Sequence, residues 1–555
     1  MATTLVRKLA ASIGTALLAA VPGMVTSPAV WAAGANMEWP SYGRDYANSR
    51  YAPLNQINAG TVQGLAPAWI FQTGKTGSFE DSPVVVGGVM YVTSGVTNSV
   101  FALDAGTGRR LWTHDTVLGF ASFCCGPNNR GVAVAGGKVF YGTLDGKLVA
   151  LDASTGKQAW SVQVGDPKEG FSETMAPLAW NGRVFIGSSG GEYGIRGSLT
   201  AYSQDDGKQL WRWWVVGPGW EGKYVSEVHG YSLHRDIAQE KADAAKYADS
   251  WKHGGGPIWT TPALDARTGT LYVSTGNPAE QLIDKTRPGD NLYTDSIVAL
   301  DAGTGRMKWY YQETPHDGWD YDAASPPVLF DAADGSGRTV PAVGEAGKTG
   351  WFYILRRSNG DLLRVSEPFV PITNIYTRPT AGAVTETPGG TGGSNWSPVS
   401  YNPGLHLVYI AGLNVSLVID PKPPAQWNYG GQRWAGSHQH PVAGEPFGGT
   451  FTAIDPSTGK IVWQDTMRFP MTNGSLATPE LTFVGEATGM FDALDARTGK
   501  ILWQFQTGAG ITAPPVAYEI DGREYVAVAS GGGYGGGGDA VVVFALPQSA
   551  QPSPD

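Results

Sequence analysis

Cys124 and Cys125 are adjacent and are the two cysteines of the chain. They exclude a Cys-x-x-Cys-His haem attachment and a cysteine-built zinc site within these 555 residues. Neighbouring Cα atoms lie about 3.8 Å apart, below the usual span of a disulfide, so a bridge here closes a small strained ring. The alternative is a pair of buried thiols. Three further segments carry oxygen donors in glycine-rich or aromatic settings: Glu192 in Ser-Ser-Gly-Gly-Glu-Tyr-Gly (188–194), Asn277 in Ser-Thr-Gly-Asn-Pro (274–278), and the aspartates of His-Asp-Gly-Trp-Asp-Tyr-Asp (316–322). Carboxylate and amide oxygens are the ligands that hard cations such as Ca²⁺ select. Each position also has a plain structural reading: Glu192 as a turn cap, Asn277 as an Asx turn before Pro278, Asp320 as a backbone anchor. His438 and His440, on a glycine-rich stretch, read as solvated side chains rather than as zinc ligands.

Residues so far apart in sequence need a scaffold that brings them together, and composition narrows what that scaffold is. Glycine is 77 of 555 residues, tryptophan 20 and tyrosine 23, while charged residues make up 16%. Many turns and many large aromatics point to an all-β protein and exclude helical bundles and coiled coils. The formal charge of −10 argues against a broad phosphate-binding surface, so nucleic acid is not an expected partner. One phrase recurs: VFALDAGTGRRLW (100–112), LVALDASTGKQAW (148–160), LTAYSQDDGKQLW (199–211), IVALDAGTGRMKW (297–309), FTAIDPSTGKIVW (451–463) and FDALDARTGKILW (491–503). A weaker copy, YILRRSNGDLL, covers 353–363. Alternating apolar residues make a strand, Asp-x-x-Thr-Gly makes a turn with glycine at positive φ, and a second strand ends in a tryptophan that packs between sheets. Uninterrupted copies recur at about 40–50 residues, the period of four-stranded propeller blades. Seven copies are visible. The strand at 68–72 and that at 540–544 are expected to close one more, giving an eight-bladed β-propeller whose joined ends leave no exposed strand edge.

The N-terminus carries Arg7 and Lys8, then an uncharged run to Ala33 ending in Ala-Val-Trp-Ala-Ala. This pattern predicts a secretory signal over 1–33, cleaved after Ala32 or Ala33, and an exported, periplasmic protein. Loss of the leader makes the remainder two units more negative, and no later stretch is apolar enough to span a membrane. A single propeller domain is expected over 34–548, with a flexible tail at 549–555. Insertions near 217–256, 368–396 and 421–449 break the rhythm, the first containing a helix within 236–250, and they are expected to rim a funnel on one face.

The segment Cys124-Cys125-Gly126-Pro127-Asn128-Asn129-Arg130-Gly131, followed by Tyr141-Gly142-Thr143-Leu144-Asp145, resembles the pyrroloquinoline quinone (PQQ)-dependent alcohol dehydrogenases, which include bacterial methanol and ethanol dehydrogenases. The likeness extends over nearly all of the chain beyond the leader. It implies PQQ on the propeller axis, lidded by a Cys124–Cys125 ring disulfide and floored by Trp259. It implies that Glu192, Asn277 and Asp320 bind a metal, that Asp320 is also the base, and that Glu80, Arg130, Thr174, Ser189 and Asn395 hydrogen-bond the cofactor. Lys348 matches the cation beside the reactive quinone oxygen. Asp322 matches the extra carboxylate of the lanthanide-using branch, whereas 323–329 look more like members with a divalent metal. Ca²⁺ is the expected ion, with a lanthanide as the alternative. The stretch Met471-Thr472-Asn473-Gly474 lacks the tryptophan of methanol-oxidising members, which points away from methanol. The resemblance implies oxidation of alcohol groups, with a soluble c-type cytochrome as acceptor, and is compatible with a homodimer. Two alternatives remain: a quinoprotein for sugars, polyols or bulky alcohols, and a non-catalytic periplasmic propeller scaffold, which needs neither the adjacent cysteines nor the oxygen donors.

Overall fold

A computed structural model of the chain describes residues 37–547, apart from 122, 124, 380–381, 423–436, 446 and 533–536. The expected leader, Cys124, the first half of the third insertion and the expected tail therefore lie outside the described residues. Among the described residues the strands form eight four-stranded antiparallel sheets. Six are built from consecutive strands, beginning at Val84–Val86, Ala133–Ala135, Leu178–Trp180, Ala263–Asp265, Val328–Ala333 and Ser475–Ala477, and a seventh, beginning at Ser400–Asn402, is interrupted by two inserted strands. The eighth takes Val516–Ile520, Arg523–Ser530 and Gly538–Ala545 from the C-terminal end. Its outermost strand is Ala66–Gly77, paired with Gly538–Ala545 in the register Ile70–Val542 and Phe71–Val541. The closure expected from the sequence is thus what the backbone makes.

The recurring phrase explains how one blade holds the next. Asp104 Oδ1 accepts hydrogen bonds from the Gly106 and Thr107 N–H groups and from the Thr107 hydroxyl, and Asp152, Asp301 and Asp495 do the same in their turns. The tryptophan eight residues later reaches the turn of the following blade. Trp112 Nε1 donates to Ala153 O at 3.0 Å, Trp160 to Gln204 O at 3.2 Å, Trp211 to Ala302 O at 3.1 Å and Trp463 to Ala496 O at 3.1 Å. Trp69, on the N-terminal strand, donates to Ala105 O at 3.2 Å and completes the ring. The turn glycine meets the same indole. Gly156 has φ +69°, and a Cβ there would lie 2.5 Å from the Trp112 ring. Glycine is needed twice over, for the left-handed backbone and for the room. The fifth blade carries the weak copy and has Arg364 at the register position of the tryptophan, and a backbone bond from Glu367 N–H to Gly459 O at 2.7 Å makes a link to the sixth.

Burial follows the same plan. In the second blade Val139, Phe140 and Tyr141 are sealed on both faces between neighbouring sheets, whereas the outer strand Gln158–Gln163 alternates with solvent. Strand direction then sorts the loops. In a four-stranded meander, the segment entering the first strand and the turn leaving the second lie at one edge. The Asp-x-x-Thr-Gly turn lies at the opposite edge, because direction reverses at each strand.

The first insertion holds a helix at Ile237–Asp243, capped by Asp236, whose Oδ1 accepts from Gln239 N–H at 3.0 Å. The second and third insertions combine in a way the sequence does not announce. Val384–Glu386, Leu417–Pro421 and Ser437–Pro441 form one three-stranded sheet. Two of its strands prolong Leu407–Val415 and Phe447–Asp455 of the sixth blade past its edge.

Gly156→Ala should lower stability by about 2–4 kcal/mol, combining overpacking with positive-φ strain. Gly182→Ala, at φ +74° with nothing within 4 Å of its Cβ, should cost only about 1–2 kcal/mol of strain. Urea unfolding of both variants checks this; equal losses would remove the indole contact from the account.

Candidate active site

The chemistry-bearing residues fall on the edge that the Asp-x-x-Thr-Gly turns avoid. Glu80, Arg130, Thr174, Trp259, Asp320 and Asn395 each precede the innermost strand of a successive blade, the first through the sixth. Ser189, Asn277 and Lys348 each follow a second strand, of the third, fourth and fifth blades. Both loop sets converge on a cavity of about 300 Å³. Its wall includes Cys125, Arg130, Thr174, Ser189, Glu192, Trp259, Asp320, Asp322, Lys348 and Asn395. Two of the sequence-derived candidates stand just behind it. Glu80 reaches the wall through Arg130, and Asn277 through its backbone, whose N–H donates to Asp322 Oδ1. The Asn277 side-chain amide donates to Pro278 O at 3.0 Å. Cys125 is disulfide-bonded and exposed at the mouth beside Phe123; the other cysteine of the sequence, Cys124, lies outside the described residues.

One side of the cavity is a chain of hydrogen bonds. Arg130 Nη2 meets Glu80 Oε2 at 2.8 Å, both side chains being about 95% buried. Arg130 Nη1 donates to Thr174 Oγ1 at 3.0 Å and to Trp259 O at 3.3 Å, and Thr174 Oγ1 lies 2.7 Å from Ser189 Oγ. The guanidinium sits 5.1 Å from the Trp259 ring centroid and 5.7 Å from that of Trp396. Burial raises the Glu80 pKa and Arg130 opposes it. Asn395 Nδ2 donates to Thr391 O at 2.9 Å.

The other side is charged. Lys348 Nζ lies 3.1 Å from Asp320 Oδ1 and 2.8 Å from Asp322 Oδ2. Burial disfavours the ammonium, but the two aspartates outweigh it and hold its pKa above the usual lysine range. Burial pushes Asp320 up to about 7; Lys348 opposes this, while Asp322, Asp317 and Glu192 add to it. Asp320 has φ +74°, a left-handed conformation rare for aspartate and held by its surroundings. Asp317 does the holding: its oxygens accept from the N–H groups of Trp319 at 2.9 Å and of Asp320 and Tyr321 at 3.1 Å. Fully buried Arg287 donates to the carbonyls of Asp317 and Glu280, tying the loop after Asn277 to the Asp317–Asp322 turn. Gly392, at φ +83°, leaves room for Lys348, since a Cβ there would lie 2.4 Å from the lysine Cγ.

Sequence reasoning missed Arg287, Trp396 and Thr391, and two glutamines that line the cavity, Gln281 and Gln439. Trp396 adjoins Asn395, and Gln281 stands four residues after Asn277, so proximity to known candidates was the available signal. His438 and His440 are exposed, and no cluster of three metal-binding His, Cys, Asp or Glu side chains occurs among the described residues.

The sequence matches the family described as PQQ: Glucose/ethanol/alcohol dehydrogenase, beta-propeller domain, over residues 39–375 and 370–526. The chain belongs to this family of PQQ-dependent dehydrogenases. It is 38% identical to the quinoprotein alcohol dehydrogenase PedH of Pseudomonas putida, over 87% of this chain and 84% of that one. It is 37% identical to a quinohemoprotein alcohol dehydrogenase of Comamonas testosteroni, over 89% of this chain and 73% of that one. A solved europium-containing methanol dehydrogenase superposes with a TM-score of 0.82 at 31% identity, covering 92% of this chain and 98% of that structure.

The cavity of this PQQ-dependent dehydrogenase fits its cofactors in kind. Arg130 Nε, Thr391 Oγ1 and Trp396 Nε1 are buried donors without a hydrogen-bond partner among the described residues, suited to a ligand rich in carboxylates and carbonyls. Glu192, Asp320 and Asp322 place carboxylates, the donor type a hard cation takes, on the cavity wall.

Arg130→Met should strip Glu80 of its cation and lower stability by about 3–5 kcal/mol. Calorimetry of the cofactor-free protein checks it; an unchanged unfolding midpoint would mean that the Glu80–Arg130 pair is not a structural element of the wall.

Proposed function

We propose that the chain oxidises an alcohol group to an aldehyde or ketone with PQQ and a bound metal ion, using Asp320 as general base. The observation that carries this reading is the convergence of Asp320 and Lys348 with Cys125 and Trp259 on one cavity. When bound, PQQ supplies the two-electron acceptor for the substrate's hydride and the metal supplies Lewis acidity. Glu80, Arg130, Thr174, Ser189 and Asn395 are the residues to hold the cofactor, with Cys125 and Trp259 as the surfaces against its ring. Glu192, Asn277, Asp320 and Asp322 are the residues to hold the ion.

The protein's own part is proton handling and exclusion of water. Asp320 takes the hydroxyl proton at its carboxylate, with its backbone fixed by Asp317 so that the carboxylate is aimed without reorganisation. Lys348, held charged between two aspartates, keeps Asp320 closer to its ionised form and places a positive charge where negative charge develops. Three carboxylates set against Lys348 leave the site about two charges negative, which suits a divalent ion; Ca²⁺ is the proposed metal and a lanthanide the alternative. Electrons leave to an external acceptor, proposed to be a soluble c-type cytochrome. The proposed location is the periplasm, reached through the leader at 1–33; no helix among the described residues is long and apolar enough to cross a membrane.

Purified protein loaded with PQQ should oxidise alcohols in a dye-linked assay. After chelation, Ca²⁺ should restore activity at least as well as La³⁺; restoration by La³⁺ alone, abolished in Asp322→Ala, would assign a lanthanide. Asp320→Asn should lower kcat by about 10²–10⁴-fold. No oxidation of any alcohol by the loaded wild type would overturn the reading.

A further inference from the structure

Gln281 is 2% exposed, lines the cavity, and its Oε1 has no hydrogen-bond partner among the described residues. A buried acceptor left unpaired is costly, so its position asks for a donor on whatever occupies the cavity. Gln439 enters from the three-stranded sheet above. Its Nε2 donates to Trp319 O at 3.3 Å, the carbonyl immediately before the proposed base, and it too lines the cavity. The fit beneath it is tight, because a Cβ on Gly390 would lie 2.2 Å from that Nε2 and 2.7 Å from Trp319 O. The Gly389-Gly390 pair therefore lets the inserted sheet lower an amide beside Asp320.

We propose that Gln281 and Gln439 form a subsite for a second hydroxyl of the substrate, next to the one oxidised. A hydroxyl both donates and accepts, so it can give its proton to Gln281 Oε1 and take one from the Gln439 amide. A saturated hydrocarbon chain at the same place would leave Gln281 Oε1 unpaired and offer Gln439 nothing beyond its bond to Trp319 O. The substrate class is therefore diols and polyols, including the open or ring hydroxyls of sugars, rather than simple aliphatic alcohols. This rests on the alcohol-oxidising reading above and narrows it.

The test compares 1,2-propanediol with 1-propanol on the PQQ- and metal-loaded enzyme, in wild type, Gln281→Leu and Gln439→Leu. PQQ content is checked by absorbance in each. Wild type should favour the diol in kcat/KM. Each variant should lower the diol-to-propanol ratio of kcat/KM by about tenfold, the order expected for one hydrogen bond between uncharged groups, and chiefly through KM for the diol. Gln439 is only half-buried, in the middle of an added strand outside the propeller blades, so its variant keeps the test open where Gln281→Leu does not fold. If 1-propanol is oxidised and the ratio is the same in all three proteins, the subsite is refuted while the dehydrogenase stands. If the loaded wild type oxidises no alcohol, the dehydrogenase reading falls and the subsite with it.

Discussion

Carboxylates buried at the centre of this propeller stay ionised most readily where a cation meets them, and two basic side chains do so around the cavity while a third ties its loops together. Lys348 lies between Asp320 and Asp322, Arg130 holds Glu80, and Arg287 straps the loops that carry Asn277 and Asp317. Removing Lys348 or Arg130 leaves an unpaired charge in a dry site, where it costs far more than at a surface, and removing Arg287 leaves buried carbonyls without their donor. The same pairing makes the site useful. A carboxylate raised by burial yet tied to an ammonium changes its proton at modest cost, and a metal entering the oxygen cluster adds a second cation to the same balance.

The torus makes this concentration of charge possible. Blade-to-blade tryptophans and their matching glycines use the edge formed by the third and fourth strands, which leaves the opposite edge free of the repeat. Six successive blades each lend that free edge one residue just before the innermost strand, so a small rotation per blade arranges side chains from positions 80 to 395 around one hollow. The inserted sheet closes over it from the sixth blade. Function is thus carried by irregular segments fixed on a regular scaffold.

Much of this was legible beforehand because the scaffold repeats itself. The Asp-x-x-Thr-Gly…Trp phrase gives hairpins and period from local chemistry alone, and the strands expected at 68–72 and 540–544 do pair to close the eighth sheet. Glu192, Asn277 and Asp320 stood out as oxygen donors in glycine-rich or aromatic settings, and Lys348 and Asp322 gained their roles from the family resemblance. The rest depends on contacts distant in sequence. Nothing local shows that residues 384–386, 417–421 and 437–441 become one sheet, or that Gln439 meets the carbonyl before Asp320 across 120 positions. Nothing in the local sequence marks Arg287; only the fold reveals that it is fully buried and bonded to two site loops.

The most direct measurement of the central claim is a crystal structure of the protein loaded with PQQ and its metal, with the ion located by anomalous scattering. The account predicts the ion within ligand distance of Glu192 and Asp320, and the quinone ring between the Cys125 sulfur and the Trp259 indole. An ion or a quinone bound away from this hollow, with Lys348 still bridging Asp320 and Asp322 around an empty centre, would contradict it.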